Sequence, residues 1–235
     1  MVEAAVANRE VFWPTNLNGN PTDQAGNQLE IWKYDEAQLG SFIDQCESQK
    51  VSFVATEWGL PNVDLLAKDE RVLLVTCLRD PLSRYVSNFY YDLHNGYTQA
   101  RSLEQFNNTR QRLFTMDNYY CRILSRSAPS KLNLSEDDFI TAQKNLKLFD
   151  CVAIAGSNLA VLSERCGWSK AIGHTNRHRN DLTGLIGLFL RLKWRLLFLR
   201  VRYRRSPPSE VFKRKFLDSN HWDYRLFELD AVSGN

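Results

Sequence analysis

The sequence predicts an α/β chain with a mainly parallel sheet flanked by helices, and three observations carry that reading. Short β-branched apolar runs recur, each bounded by polar residues or by Gly and Pro, as expected of strands buried on both faces. Between them lie stretches whose apolar residues recur at steps of three and four, the helical period. Helix-start residues stand where the first kind of segment gives way to the second.

The elements follow in order. Residues 1–30 are rich in Asn, Gly, Pro and Thr and read as an irregular N-terminal segment, with 31–235 as one domain. Leu39, Phe42, Ile43 and Cys46 predict a helix over 35–46. The runs 51–55 and 71–78 predict two buried strands. After the second, Asp80 is a good N-cap and Pro81 fits the first helical turn, where its missing N–H costs nothing, so a helix is predicted over 82–94. A further helix is predicted over 118–125. Another opens with Ser135 as N-cap and Asp138 at the third helical position, and it carries Phe139, Ala142, Leu146 and Phe149 on one face. The run 150–156 reads as a strand, and 159–166 as a helix ended by Gly167.

Composition removes several function classes. Hydrophobic residues make up 43% and charged residues 24%, which excludes a wholly disordered or disulfide-scaffold chain. The formal charge of +3 is too small to point to nucleic acid. That charge is unevenly placed: residues 174–225 hold 13 Lys and Arg against 4 Asp and Glu, so the rest of the chain is acidic. The five cysteines are dispersed without metal-ligand spacing, and no metal is expected. Asn107-Asn108-Thr109 and Asn133-Leu134-Ser135 are glycosylation sequons. The first residues lack the apolar core of a signal peptide, and the most apolar stretch, 182–199, is interrupted by Arg191, Lys193 and Arg195.

The specific chemistry lies in Arg79-Asp80-Pro81-Leu82-Ser83-Arg84-Tyr85-Val86-Ser87-Asn88-Phe89. A strand, a tight turn and a helix N-terminus form the arrangement in which α/β folds bind anions. An Arg at the strand end can set a guanidinium on a phosphate, and a Ser two turns into the helix can add a hydroxyl. The plainer alternative makes Arg79 an ion-pair partner of Asp80 and Ser87 a small packed residue.

This segment resembles the R-[DE]-P-x-x-R-x-x-S-x-[YF] motif of the sulfotransferases, in particular the Golgi carbohydrate sulfotransferases; Arg79, Pro81, Arg84, Ser87 and Phe89 carry the match. Later stretches resemble the same family in the same order: Asp117 to Leu124, the acidic-capped helix after Ser135, the strand after Asp150, Gly167-Trp168 with His174-Thr175-Asn176-Arg177, and Leu217 to Phe227. The resemblance covers roughly residues 50–230. It implies a P-loop NTPase-like fold, the co-substrate 3′-phosphoadenosine 5′-phosphosulfate (PAPS), a carbohydrate acceptor of glycosaminoglycan type, and the lumenal side of the Golgi membrane. It assigns the donor's 3′-phosphate to Arg79 and Ser87, and places Thr175, Asn176 and Arg177 in the donor pocket. The family's P-K-x-[GA]-[ST]-[ST] loop for the 5′-phosphosulfate has no counterpart in this sequence. The expectation is therefore an N-terminally incomplete or degenerate member.

Sulfuryl transfer needs a general base beside the acceptor hydroxyl. Glu57, at the end of the strand predicted over 51–55, is the candidate; the alternative is a solvated loop carboxylate. The stretch 188–205 alternates apolar and basic residues, fitting an anionic membrane surface, an acidic glycan or an ordinary surface helix. Three functional classes follow: a PAPS-dependent sulfotransferase, a catalytically silent domain that binds nucleotide or polyanionic glycan, and a kinase-like nucleotide enzyme.

Overall fold

The computed structural model describes residues 2–16, 19–57, 59–108, 115–126, 131, 133–157, 159–169 and 182–233. Among these the chain is α/β, with twelve α-helices and one two-stranded parallel sheet. It divides into two compact units, Met1–Leu78 with Cys121–Gly173, and Arg79–Tyr120 with His174–Asn235.

In the first unit, α1 (Val2–Ala7) lies inside the segment whose composition reads as irregular, and Ala4 and Ala5 pack on Trp168. Trp13 binds the turns that follow by donating its indole N–H to the Thr22 carbonyl at 2.8 Å. The helix predicted over 35–46 is α2 (Glu36–Ser48), opened by a capping box between Asp35 and Gln38. Phe42 of α2 meets Trp13 at 4.6 Å between ring centroids. After the short α3 (Val63–Leu66) comes β1 (Val75–Leu78), which pairs in parallel with β2 (Cys151–Ile154), Val75 opposite Cys151 and Leu78 opposite Ile154. The Asp150 carboxylate fixes this register by accepting the Leu74 N–H at 2.8 Å. Ser135 and Asp138 form the expected capping box of α7 (Glu136–Leu146), which buries Phe139, Ala142 and Leu146. The next helix, α8 (Leu159–Arg165), covers β2 with Leu162.

The strand content is smaller than the sequence predicts. Over 51–55 only Phe53 makes a bridge, to Phe12. The Ser52 and Phe53 N–H groups both donate to the single Val11 carbonyl, so the ladder does not propagate, and Val54 is exposed. The strand predicted over 71–78 shortens to its last four residues. Arg71 is held by Asp44, Glu47 and Asp69, and the Val72 N–H closes a turn onto the Asp69 carbonyl.

The second unit is organised around α4 (Pro81–Asn95), which ends at Gly96 in the left-handed conformation, φ +73°, where a side chain would be strained. Tyr85, Phe89, Tyr90 and Leu93 of α4 join Phe106 of α5 (Leu103–Asn107), Leu199, Phe212 and Phe216 in one core. The helix α6 (Tyr119–Leu124) stands where 118–125 predicts one. The stretch 188–205 is not one helix. It spans α9 (Leu182–Leu190) and α10 (Trp194–Arg202), separated at Leu192, whose φ is +54°. The chain closes with α11 (Glu210–Ser219) and α12 (His221–Ser233). Among the described residues no helix is long and apolar enough to cross a membrane.

Candidate functional site

The site grows from the turn before α4. The Asp80 carboxylate accepts the Ser83 N–H at 2.7 Å, the cap its position predicts, worth about 1 kcal/mol. Tyr224 of α12 lies against the Leu82 backbone and the Asp80 carboxylate, and burial, helped by that negative charge, pushes its hydroxyl up to about 12. The first amides of α4 are thus taken, and an acidic group sits beside them. A phosphate at this turn would be held by side chains rather than by the free helix N-terminus.

Arg79 is the side chain so placed. Tyr120 clamps its backbone on both sides: the Tyr120 hydroxyl accepts the Arg79 N–H at 3.0 Å and donates to the Arg79 carbonyl at 3.0 Å. Burial raises the Tyr120 pKa far above its usual value, so the phenol keeps the proton that the second bond needs. The main chain of Arg79 is pinned while its side chain stays exposed. Among the described residues Arg79 forms no ion pair, with Asp80 or any other carboxylate, which disfavours the plainer alternative for this residue.

Tyr120 is itself positioned by two segments far apart in sequence. Asn118, in the left-handed region at φ +49°, donates its N–H to Asn220 at 2.8 Å and accepts the Trp222 and Asp223 N–H groups at 3.0 and 3.3 Å. Asp223, fully buried, accepts the Tyr120 N–H at 3.1 Å. Asn118 therefore caps the first turn of α12 while Asp223 caps the first turn of α6. Arg84, the second Arg of the motif, is buried with its guanidinium 4.2 Å from the Tyr119 ring centroid and 5.5 Å from that of Tyr120. It braces the clamp by a cation–π contact.

A second cation, which sequence reasoning missed, is Arg205. It lies close enough to Arg79 for the two positive charges to repel, and burial together with that repulsion lowers its pKa. Its guanidinium sits 5.6 Å from the centroid of Tyr90, whose hydroxyl accepts the Ser206 N–H at 2.9 Å. Ser87, half-buried, is three residues before Tyr90 and so on the same side of α4. Its hydroxyl makes no hydrogen bond among the described residues. Two guanidiniums within electrostatic range of each other, neither in an ion pair among the described residues, are suited to a doubly charged oxyanion.

Glu57 belongs to the first unit, at a bend rather than at a strand end. Its N–H donates to the Asn20 side chain at 2.9 Å, and its carboxyl is exposed, although desolvation by nearby atoms raises its pKa. Thr175, Asn176 and Arg177, with His174, lie outside the described residues. Among the described residues no group of three or more His, Cys, Asp or Glu could hold a metal ion. Comparison with protein-family models, with curated proteins and with solved structures finds no match to this chain.

Proposed function

We propose that the second unit binds the phosphate of a nucleotide and that this phosphate is the 3′-phosphate of PAPS, from which the chain transfers a sulfuryl group to a carbohydrate hydroxyl. The observation that carries the reading is Arg79: its backbone is held at both N–H and C=O, its guanidinium forms no ion pair among the described residues, and Arg205 is near enough to feel its charge. Holding two like charges together is unfavourable unless an anion binds there. Arg79 and Arg205 would neutralise the dianion and Ser87 would donate a hydrogen bond to it. In the reaction the acceptor oxygen bonds to sulfur, the bridging S–O bond to the 5′-phosphate breaks, and the hydroxyl proton passes to a base. Glu57 is the residue proposed for that proton, and the upward shift of its carboxyl favours protonation. The P-loop NTPase-like sulfotransferase fold, the lumenal Golgi setting and donor contacts from Thr175, Asn176 and Arg177 belong to the same proposal.

A second reading, a domain that binds nucleotide without turnover, is favoured by the lack of a P-K-x-[GA]-[ST]-[ST] loop in the sequence. One titration series separates the readings. Adenosine 3′,5′-bisphosphate is expected to bind the wild type, and Arg79→Ala or Arg205→Ala to weaken it at least about tenfold, as loss of a charge-assisted pair does. Equal binding by wild type and both variants defeats the site. With binding established, a sulfate-transfer assay on wild type and Glu57→Gln decides between enzyme and silent domain.

A further inference from the structure

We infer that α9, α10 and the break between them form a docking tip for an anionic phospholipid surface. The base of the tip is fixed, because Leu199 is 3% exposed and Leu196 packs beside it in the core that α4 organises. The outer part is uncovered. Phe189, Leu190, Leu192 and Trp194, which straddle the break, are 52–73% exposed, and Phe198 is 58% exposed. Phe189 and Trp194 hold each other edge to face at 4.8 Å, so the two helices present these side chains together. An apolar patch of this kind on a folded surface marks an interaction site.

Charge selects the partner. Residues 182–204 contain six Lys and Arg and no Asp or Glu. Arg191, Lys193 and Arg195 are exposed and alternate with the apolar residues of the break. A sulfated glycan would satisfy the cations but leave the five apolar side chains in water. An acidic bilayer satisfies both, with the apolar residues entering the headgroup boundary and the cations facing lipid phosphates. Beside the tip, Leu185, Arg200, Val201 and Arg204 line a cavity of about 370 Å³. None of these residues is assigned to nucleotide binding, so the inference stands apart from the proposed function.

Flotation with phosphatidylcholine vesicles, with and without phosphatidylserine, tests it on the full chain. Wild type is expected to float only with the phosphatidylserine vesicles and to release as salt rises. Leu190→Ser/Leu192→Ser/Trp194→Ser and, separately, Arg191→Gln/Lys193→Gln/Arg195→Gln are each expected to lose at least about tenfold in bound fraction, with unchanged thermal melts because all six side chains are exposed. Absence of wild-type flotation overturns the inference. So does a serine variant that binds vesicles as wild type does, which would make the tip a simple polyanion site. Concentration-dependent dimerisation abolished by the serine variant, without vesicle binding, would assign the face to a second copy of the chain.

Discussion

The helices α4 and α10 touch, yet they treat their side chains in opposite ways. Eight of the fifteen residues of α4 are buried, against one of nine in α10. Both helices carry aromatic residues and arginines, so composition does not separate them; what surrounds them does. Around α4 the aromatic residues meet other rings, Tyr85 with Phe106 at 5.4 Å and with Phe216 at 5.0 Å. On α10 Phe198 meets water. Stability and recognition are thus assigned to neighbouring helices, and the Arg79 turn draws its rigidity from the first.

The strongest way to break this contrast is to cut the α4 core. Phe89→Ala should cost about 3–5 kcal/mol in denaturant unfolding. Leu190→Ser should stay within about 0.5 kcal/mol of wild type. Equal costs would remove the distinction. A finer probe is Tyr120→Phe, which keeps the ring under Arg84 but removes both bonds to the Arg79 backbone. Its expected cost in stability is about 1–2 kcal/mol. The larger effect should appear in titrations with adenosine 3′,5′-bisphosphate, because the guanidinium loses its fixed origin; an unchanged affinity would show that Arg79 needs no clamp.

The smallest effect concerns His94, on the last turn of α4, whose Nε2–H donates to the Tyr203 carbonyl at 2.8 Å. Burial, with the charges of Arg200 and Arg205, depresses its pKa below the usual value of about 6.5. In the acidic range the unfolded chain therefore takes up a proton that the folded chain refuses. Stability contributed here is intact above about pH 6.5 and is lost as the pH falls toward the depressed folded value. Melting temperatures measured between neutral and mildly acidic pH should fall in wild type and fall less in His94→Gln; parallel profiles would place the acid sensitivity elsewhere.

Local signals were legible in the sequence. Asp80 and Ser135 cap the helices they precede, because a cap and its amide lie within three residues. Pairing was not legible at 51–55, since a β-branched run becomes a strand only where a partner continues the ladder. The break at Leu192 carries no Gly or Pro to announce it. At the candidate site Arg79 and Ser87 were readable from the turn and the helix period. Arg205 was hidden within a basic run, and its neighbour Arg79 is more than a hundred residues away. The crossed caps of Asn118 and Asp223 were equally silent, although an Asn directly before a helix is a capping signal on its own side.

Those crossed caps impose an order on biosynthesis. Translation delivers Asn118 102 positions ahead of Asn220, and Asp223 follows three residues later. During that interval a nascent chain has the phenol that grips residue 79 but not the carboxylate that orients it. The nucleotide pocket proposed here can mature only after α12 has left the ribosome, so ligand cannot guide the folding of the unit that binds it before then.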